Sequence, residues 1–328
     1  MRIFTLLLLL FFVSSYAYFG KKNEAQDVFG WAMLLQSPRT VSFEGAGSAL
    51  QTLDFGAAIM NPALLQGIGY GAGISGQSGD LADWQGIAVF SHPFSIGETE
   101  GRIQHTYGVV DNGEVENLDS DAKADGYSHP IAQYYAITAA FPLTHFKFGI
   151  TGRYLWQRLS ESENAQVGMG LAMDWGFLWN SNSARYGFGF IGRHLGRQIR
   201  PFVKGGVNGY ALASELSVSS FWRLDQNFVW LFECAAPRYS PAAGKLGLEY
   251  RFSESVFARA GMQRDLIDVA RFTRSIFDKS EKSPRAGYYR LFSAGAGYRI
   301  KNFALDYSYS MLIEGQGSEH RFGLNGAF

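Results

Sequence analysis

The sequence predicts an all-β protein, a transmembrane antiparallel β-barrel of about fourteen strands with a small N-terminal plug segment. Three observations carry this expectation. From Tyr70 onward, apolar and polar residues alternate with period two in segment after segment, the pattern of strands with one apolar face. Phe303, Leu305, Tyr307 and Tyr309 share one face, and Ala304, Asp306, Ser308 and Ser310 share the other. The composition suits a body that is apolar outside and polar inside: 39 glycines and 16% aromatics accompany only 18% charged residues, against roughly 25% in ordinary soluble chains. A soluble sandwich rich in Tyr and Gly has a similar composition, so the alternation is the stronger signal. After residue 17 no run has the length and apolarity of a spanning helix. Entry into a membrane would therefore need a closed barrel, because lipid offers unpaired backbone groups no partner.

Residues 1–17 read as a secretory signal peptide: Arg2 is a basic start, Ile3 to Val13 is apolar, and Ser15-Tyr16-Ala17 is a small-x-small cleavage site. The apolar run falls short of the roughly 20 residues of a spanning helix. Residues 18–68 form an N-terminal segment and plug. Within it, 37–68 is rich in small residues, with a short helix expected around Ala46 to Leu53 and then Asn61-Pro62-Ala63. Residues 69–328 form the barrel. Its strands are expected near 70–76, 84–91, 103–110, 133–141, 145–156, 167–179, 185–193, 212–223, 226–235, 244–252, 256–263, 290–299, 303–311 and 319–328. Two connections are long, an acidic one at 111–132 and a basic, partly helix-patterned one at 264–289. Both follow odd-numbered strands. With the N-terminus in the periplasm both emerge outside the cell, where such barrels carry their long loops.

Lysine plus arginine equals aspartate plus glutamate at 29 each, so the basic footprint of a nucleic-acid binder is absent. Enzyme, metal and cofactor signals are equally poor. The six histidines are scattered without ligand spacing. Gly187, Gly189 and Gly192 match a dinucleotide fingerprint as a string, but in a strand pattern with no helix behind it. The lone Cys234 has no partner for an internal disulfide and reads as a small buried or lipid-facing hydrophobe.

Three segments resemble the PorV/PorQ family, relatives of the FadL-type fatty-acid transporters. Ser37-Pro38-Arg39, the small-residue run from Glu44 and Asn61-Pro62-Ala63 follow in the order of the family's N-terminal stretch. Residues 192–198 resemble its Asn-hydrophobic-Gly turn, with His194 in the Asn position. Residues 246–262 and 304–310, ending in His320-Arg321, resemble its C-terminal block. Val28 to Arg39 leans towards the PorQ branch. The resemblance covers most of residues 37–328. It implies a 14-stranded FadL-like barrel with an internal plug, located in the outer membrane. Its function would be non-catalytic: docking or attaching surface or secreted proteins for type IX secretion, with FadL-like transport of hydrophobic small molecules as the alternative.

The candidate sites follow from both readings. Pro62 holds Asn61 extended or in a turn, and the Asn61 amide can pair with the wall. The motif is then either a structural turn pinning the plug or, by resemblance, part of a lumen gate. The predicted lumen face carries Lys147, Arg153, Asp174, Glu215, Arg223, Glu249, Arg251, Arg259, Asp306 and Arg321, which either pair across strands or tune selectivity. Phe322, Leu324 and Phe328 mark the last strand and resemble the C-terminal signal read by the barrel-assembly machinery. The expected partners are outer-membrane lipid, that machinery, and surface or secretion-system proteins held through 111–132 and 264–289. No nucleic acid and no cofactor are expected.

Overall fold

The computed structural model describes residues 28–328 except 35, 66–68, 81, 119–123, 143–145, 161–165, 204, 207–209, 267, 270–273, 275–289 and 313–316. The signal-peptide expectation for residues 1–17 and most of the 264–289 segment therefore lie outside the described residues. The strands, in chain order, are β1 (Gly71–Gly79), β2 (Trp84–Ile96), β3 (Thr99–Asp111), β4 (Val115–Leu118), β5 (Ala124–Ser128), β6 (Ile131–Pro142), β7 (Phe146–Arg158) and β8 (Val167–Asn180). There follow β9 (Tyr186–Arg200), β10 (Glu215–Arg223), β11 (Phe228–Pro237), β12 (Ala243–Arg251), β13 (Val256–Asp265), β14 (Arg290–Ile300), β15 (Phe303–Leu312) and β16 (Ser318–Ala327).

All but β4 and β5 form one closed barrel in which each strand pairs antiparallel with its neighbours. Closure falls between β1 and β16, where Ile74 lies opposite Leu324. Backbone bonds between Tyr70 and Phe328, of 3.1 and 2.8 Å, complete the seam. Fourteen strands stand where the alternation placed them. Several run longer than expected: β9 continues to Arg200 instead of stopping near residue 193.

Alternation decides which side chain faces where. Ile74, Tyr107, Ile137, Leu171, Phe232 and Leu305 point outward from six different strands, each between 44 and 63% exposed. Phe322, Leu324 and Phe328 belong to the same outer belt, and the Tyr307 and Phe322 rings meet at 4.9 Å. Cys234 is half-buried on this face, opposite Val218 and Gly244. An apolar belt around a whole barrel far exceeds the patches that water-soluble monomers expose.

One end of the barrel carries only short turns, such as 97–98 and 301–302; the other carries 112–130 and 266–289. Both long connections thus leave from the same end. The 111–132 segment, expected as a loop, contains the hairpin β4–β5. Asp111 closes its base by accepting from the Gly113 N–H at 2.9 Å and pairing with His129 at 2.5 Å. An arginine at Phe232, halfway along β11 on the outer face, should cost about 2–4 kcal/mol of folding into a bilayer. Urea titration of F232R in lipid vesicles measures this; wild-type stability would mean that the face is not lipid-exposed.

Candidate functional site: the filled lumen

Residues 28–65 run inside the barrel. They begin at the long-loop end, where Val28 bridges to Leu212 and Trp31 Nε1 donates to Gln157 Oε1 at 3.1 Å. They descend to the short-turn end, where the Arg102 guanidinium donates to the Gly69 carbonyl at 2.7 Å, just before β1. The local structure is a string of single turns: Gly30–Met33, Pro38–Val41, Phe55–Ile59 and Pro62–Leu64. Each of the last three starts with a side-chain cap. Ser37 accepts from Thr40 N, Asp54 from Gly56 N, and Asn61 from Ala63 N. The short helix expected at Ala46 to Leu53 is not formed. Gly45 takes a left-handed φ of 83° and the chain folds through tight turns instead, because Gly45 and Gly47 weaken a helix there.

Glycines in the wall receive this segment. A Cβ on Gly149 would lie 2.3 Å from the Pro62 carbonyl carbon, and one on Gly176 would lie 1.9 Å from Asn61 Oδ1. On the opposite wall, a Cβ on Gly261 would come within 2.4 Å of Phe43 backbone, and one on Gly295 within 2.5 Å of Ser42. Only glycine allows backbone to approach this closely. Asn61-Pro62-Ala63 therefore sits on β7 and β8. Asn61 is wholly buried and extended, as a residue before proline is (φ −144°, ψ 110°). Its Oδ1 accepts from Ala63 N at 3.0 Å, and its Nδ2 donates to the Ser48 carbonyl at 2.8 Å.

Charge fastens the rest. Arg39 of the inner segment meets Glu249 at 2.7 Å; Glu249 also takes Arg259 at 2.8 Å, and Arg259 reaches Asp306 at 2.5 Å. Glu44 accepts from Ser293, and Ser48 donates to Glu233, which pairs with Lys245 at 2.8 Å. Arg153 pairs with Asp174 at 2.5 Å and donates to the Ile59 carbonyl at 3.0 Å. Arg321 holds the carbonyls of Leu34 and Gln36, each at 3.0 Å, and pairs with Glu319. Removing one member of such a buried pair strands a charge, at about 3–5 kcal/mol.

The structure thus brings together Arg153 with Asp174, and Glu249 with Arg259 and Asp306. Glu215 pairs instead with Arg193, and Arg321 with Glu319. Lys147, Arg223 and Arg251 form no ion pair among the described residues. Arg102, Arg193, Glu233, Lys245 and Glu319 were not among the expected lumen set. For Glu233, Lys245 and Glu319 the alternation of their strands carries the same signal, since each is flanked by outward-facing neighbours; Arg193 lies in an irregular part of β9 between buried Gly192 and His194, where alternation breaks down. The expected turn at 192–198 lies inside β9 as a bulge. Trp175 pairs with Gly192 while Met173 pairs with Leu195, and His194 is left-handed (φ 53°) with its N–H on Asp174 at 2.6 Å. The asparagine of the resembled motif suits that φ. Here the strand resumes pairing after the bulge rather than turning back.

Burial is the main influence on Asp54 and raises its carboxyl, and nearby Asp306 adds to it. The Ser37 hydroxyl, Arg39 and the Gly56 N–H oppose this. The raised value means that the seated segment prefers a protonated Asp54. This contribution is present at low pH and is lost as pH rises.

A cavity of about 580 Å³ lies beside the Asn61 turn at the short-turn end. Ala63, Leu65, Phe94, Ala140 and Phe141 give it apolar walls, and Arg102, Lys147 and Glu100 add charge.

No protein-family model matches the sequence, and no curated protein matches it. Solved structures do share the fold. The chain is similar to the Pseudomonas putida toluene transporter TodX (12% identity, TM-score 0.58, covering 89% of this chain and 96% of that one). It is similar to the monoaromatic hydrocarbon channel CymD (11%, 0.58, covering 90% and 98%). A Pseudomonas aeruginosa FadL homologue also aligns (12%, 0.52, covering 89% and 98%). The fold is that of FadL-like barrels.

Asn61→Ala leaves two buried backbone groups without partners and should weaken seating of the inner segment by about 1–3 kcal/mol. Native-state proteolysis within 36–65 reads this; cleavage at the wild-type rate would show that the amide holds nothing. Asp54→Asn mimics the protonated acid. It should flatten the pH dependence of the same protection, and an undiminished slope would place the titration elsewhere.

Proposed function

We propose that this chain is a non-catalytic outer-membrane barrel that passes a hydrophobic or amphipathic small molecule through a lumen gated by residues 28–65, its plug. The cavity beside Asn61-Pro62-Ala63 carries the reading. It is large enough for a small organic molecule, apolar on most sides, and bounded above by the turn that rests on Gly149 and Gly176. Sliding that turn off its glycine seat would join the cavity to the lumen above. The outer apolar belt suits a bilayer, and the FadL-like fold is shared with hydrocarbon channels. Short turns facing the periplasm and long loops facing outward give the usual orientation. Phe322, Leu324 and Phe328 would present the last strand to the assembly machinery.

A second reading keeps one observation of its own. The β4–β5 hairpin stands at the long-loop end with Val115 and Tyr127 exposed, as a surface that holds a protein would. This is the PorV/PorQ-type docking role in type IX secretion, supported by the order of motifs from Arg39 to Arg321. Removing 112–130 should then release a partner from the cell surface.

A diazirine-bearing alkyl probe distinguishes the two. Transport predicts labelled peptides spanning 93–102 and 140–147, and at least severalfold less labelling in A140F, which fills the cavity. Labels confined to the outer belt would contradict it.

A further inference from the structure

We propose a second binding site at the short-turn mouth, an arc of three arginines that takes an extended acidic segment of a soluble protein. Arg223 and Arg251 end β10 and β12, and Arg299 stands one residue from the end of β14. Strand alternation fixes their direction. Their neighbours Trp222, Tyr250 and Tyr298 are exposed on the outer face, so the three guanidinium groups turn to the inside of the mouth. Lipid headgroups around the barrel are therefore not their natural ligand.

The three are charged and unmatched. None has an ion pair among the described residues. Arg223 uses its Nε on the Ala184 carbonyl at 3.1 Å, leaving its terminal nitrogens available. Glu249, two residues before Arg251 on β12, is already engaged by Arg39 and Arg259. Two of the arginines rest on rings, Arg223 over Phe221 at 5.6 Å and Arg299 over Phe257 at 5.3 Å. Such contacts hold the cation in place without neutralising it.

Spacing decides the class of ligand. Two strand intervals separate each arginine from the next, so the arc spans roughly 20 Å along the wall at about 4.8 Å per interval. A phosphate or a single carboxylate reaches one guanidinium. A ligand that meets all three must be extended, with negative charges about 10 Å apart, which is about three residues of extended chain at about 3.3 Å each. An acidic peptide of about six or seven residues fits this description. The inference rests on the barrel topology and stands apart from the transport reading.

The test uses full-length protein in nanodiscs of zwitterionic lipid, with a fluorescein-labelled heptaglutamate as probe and anisotropy as readout. Wild type should bind with an affinity that falls as salt rises, and R223Q/R251Q/R299Q should lose at least tenfold. Each single Arg→Gln variant, scored for folding by its heat-dependent gel mobility, should lose two- to fivefold, so the test survives if the triple variant does not fold. R264Q, at the long-loop end of β13, should bind like wild type. Equal affinity in the single variants and wild type would overturn the proposal. So would displacement of the peptide by pyrophosphate at comparable concentrations, which would mark a small-anion site.

Discussion

Closing a sheet into a barrel leaves the inside to be filled, and here apolar clusters around Phe43, Phe55 and Leu231 share it with buried charge. Arg153, Asp174, Glu233, Arg259 and Asp306 are nearly or wholly buried, yet they sit on the concave face of a barrel whose outside is apolar. Buried charges are tolerated only when paired. Wall-to-wall pairs meet part of that demand, and the inner segment meets another part. Arg39 completes Glu249, Ser48 bonds Glu233, and the backbone of Leu34, Gln36 and Ile59 satisfies Arg321 and Arg153. The wall and the segment are thus halves of one hydrogen-bonded interior.

Glycine makes the halves fit. Side chains at 149, 176, 261 and 295 would strike the backbone or short side chains of the segment, so the wall is bare where the segment passes and charged where it is held. Geometry and electrostatics thereby separate into two tasks. The glycine seat sets how close the segment lies, and the ion pairs set how firmly it stays. Breaking such a pair loosens the segment and leaves the barrel's backbone ladder intact.

Much of this was legible in the sequence. Period-two alternation located all fourteen barrel strands, and the parity of their count put both long connections at one end. The same alternation identified Arg153, Asp174, Glu249, Arg259 and Asp306 as lumen-facing. It could not say that Glu215 would choose Arg193 over other cations, since register and barrel closure decide which strands meet. Nor could it describe residues 28–65, whose turns have no period and take their shape from the wall. The helix expected at Ala46 to Leu53 failed because left-handed Gly45 and the following Gly47 break its start. His194 shows a related limit: a one-residue bulge in β9 looks like a turn when only the string is read.

The central claim is that residues 28–65 close the lumen. Single-channel recording in planar bilayers tests it most directly, comparing the full chain with a variant lacking 28–65 whose folding is confirmed by heat-dependent gel mobility. The account predicts a silent full-length protein and stepwise ionic conductance in the deletion variant. Equal conductance in the two would contradict it.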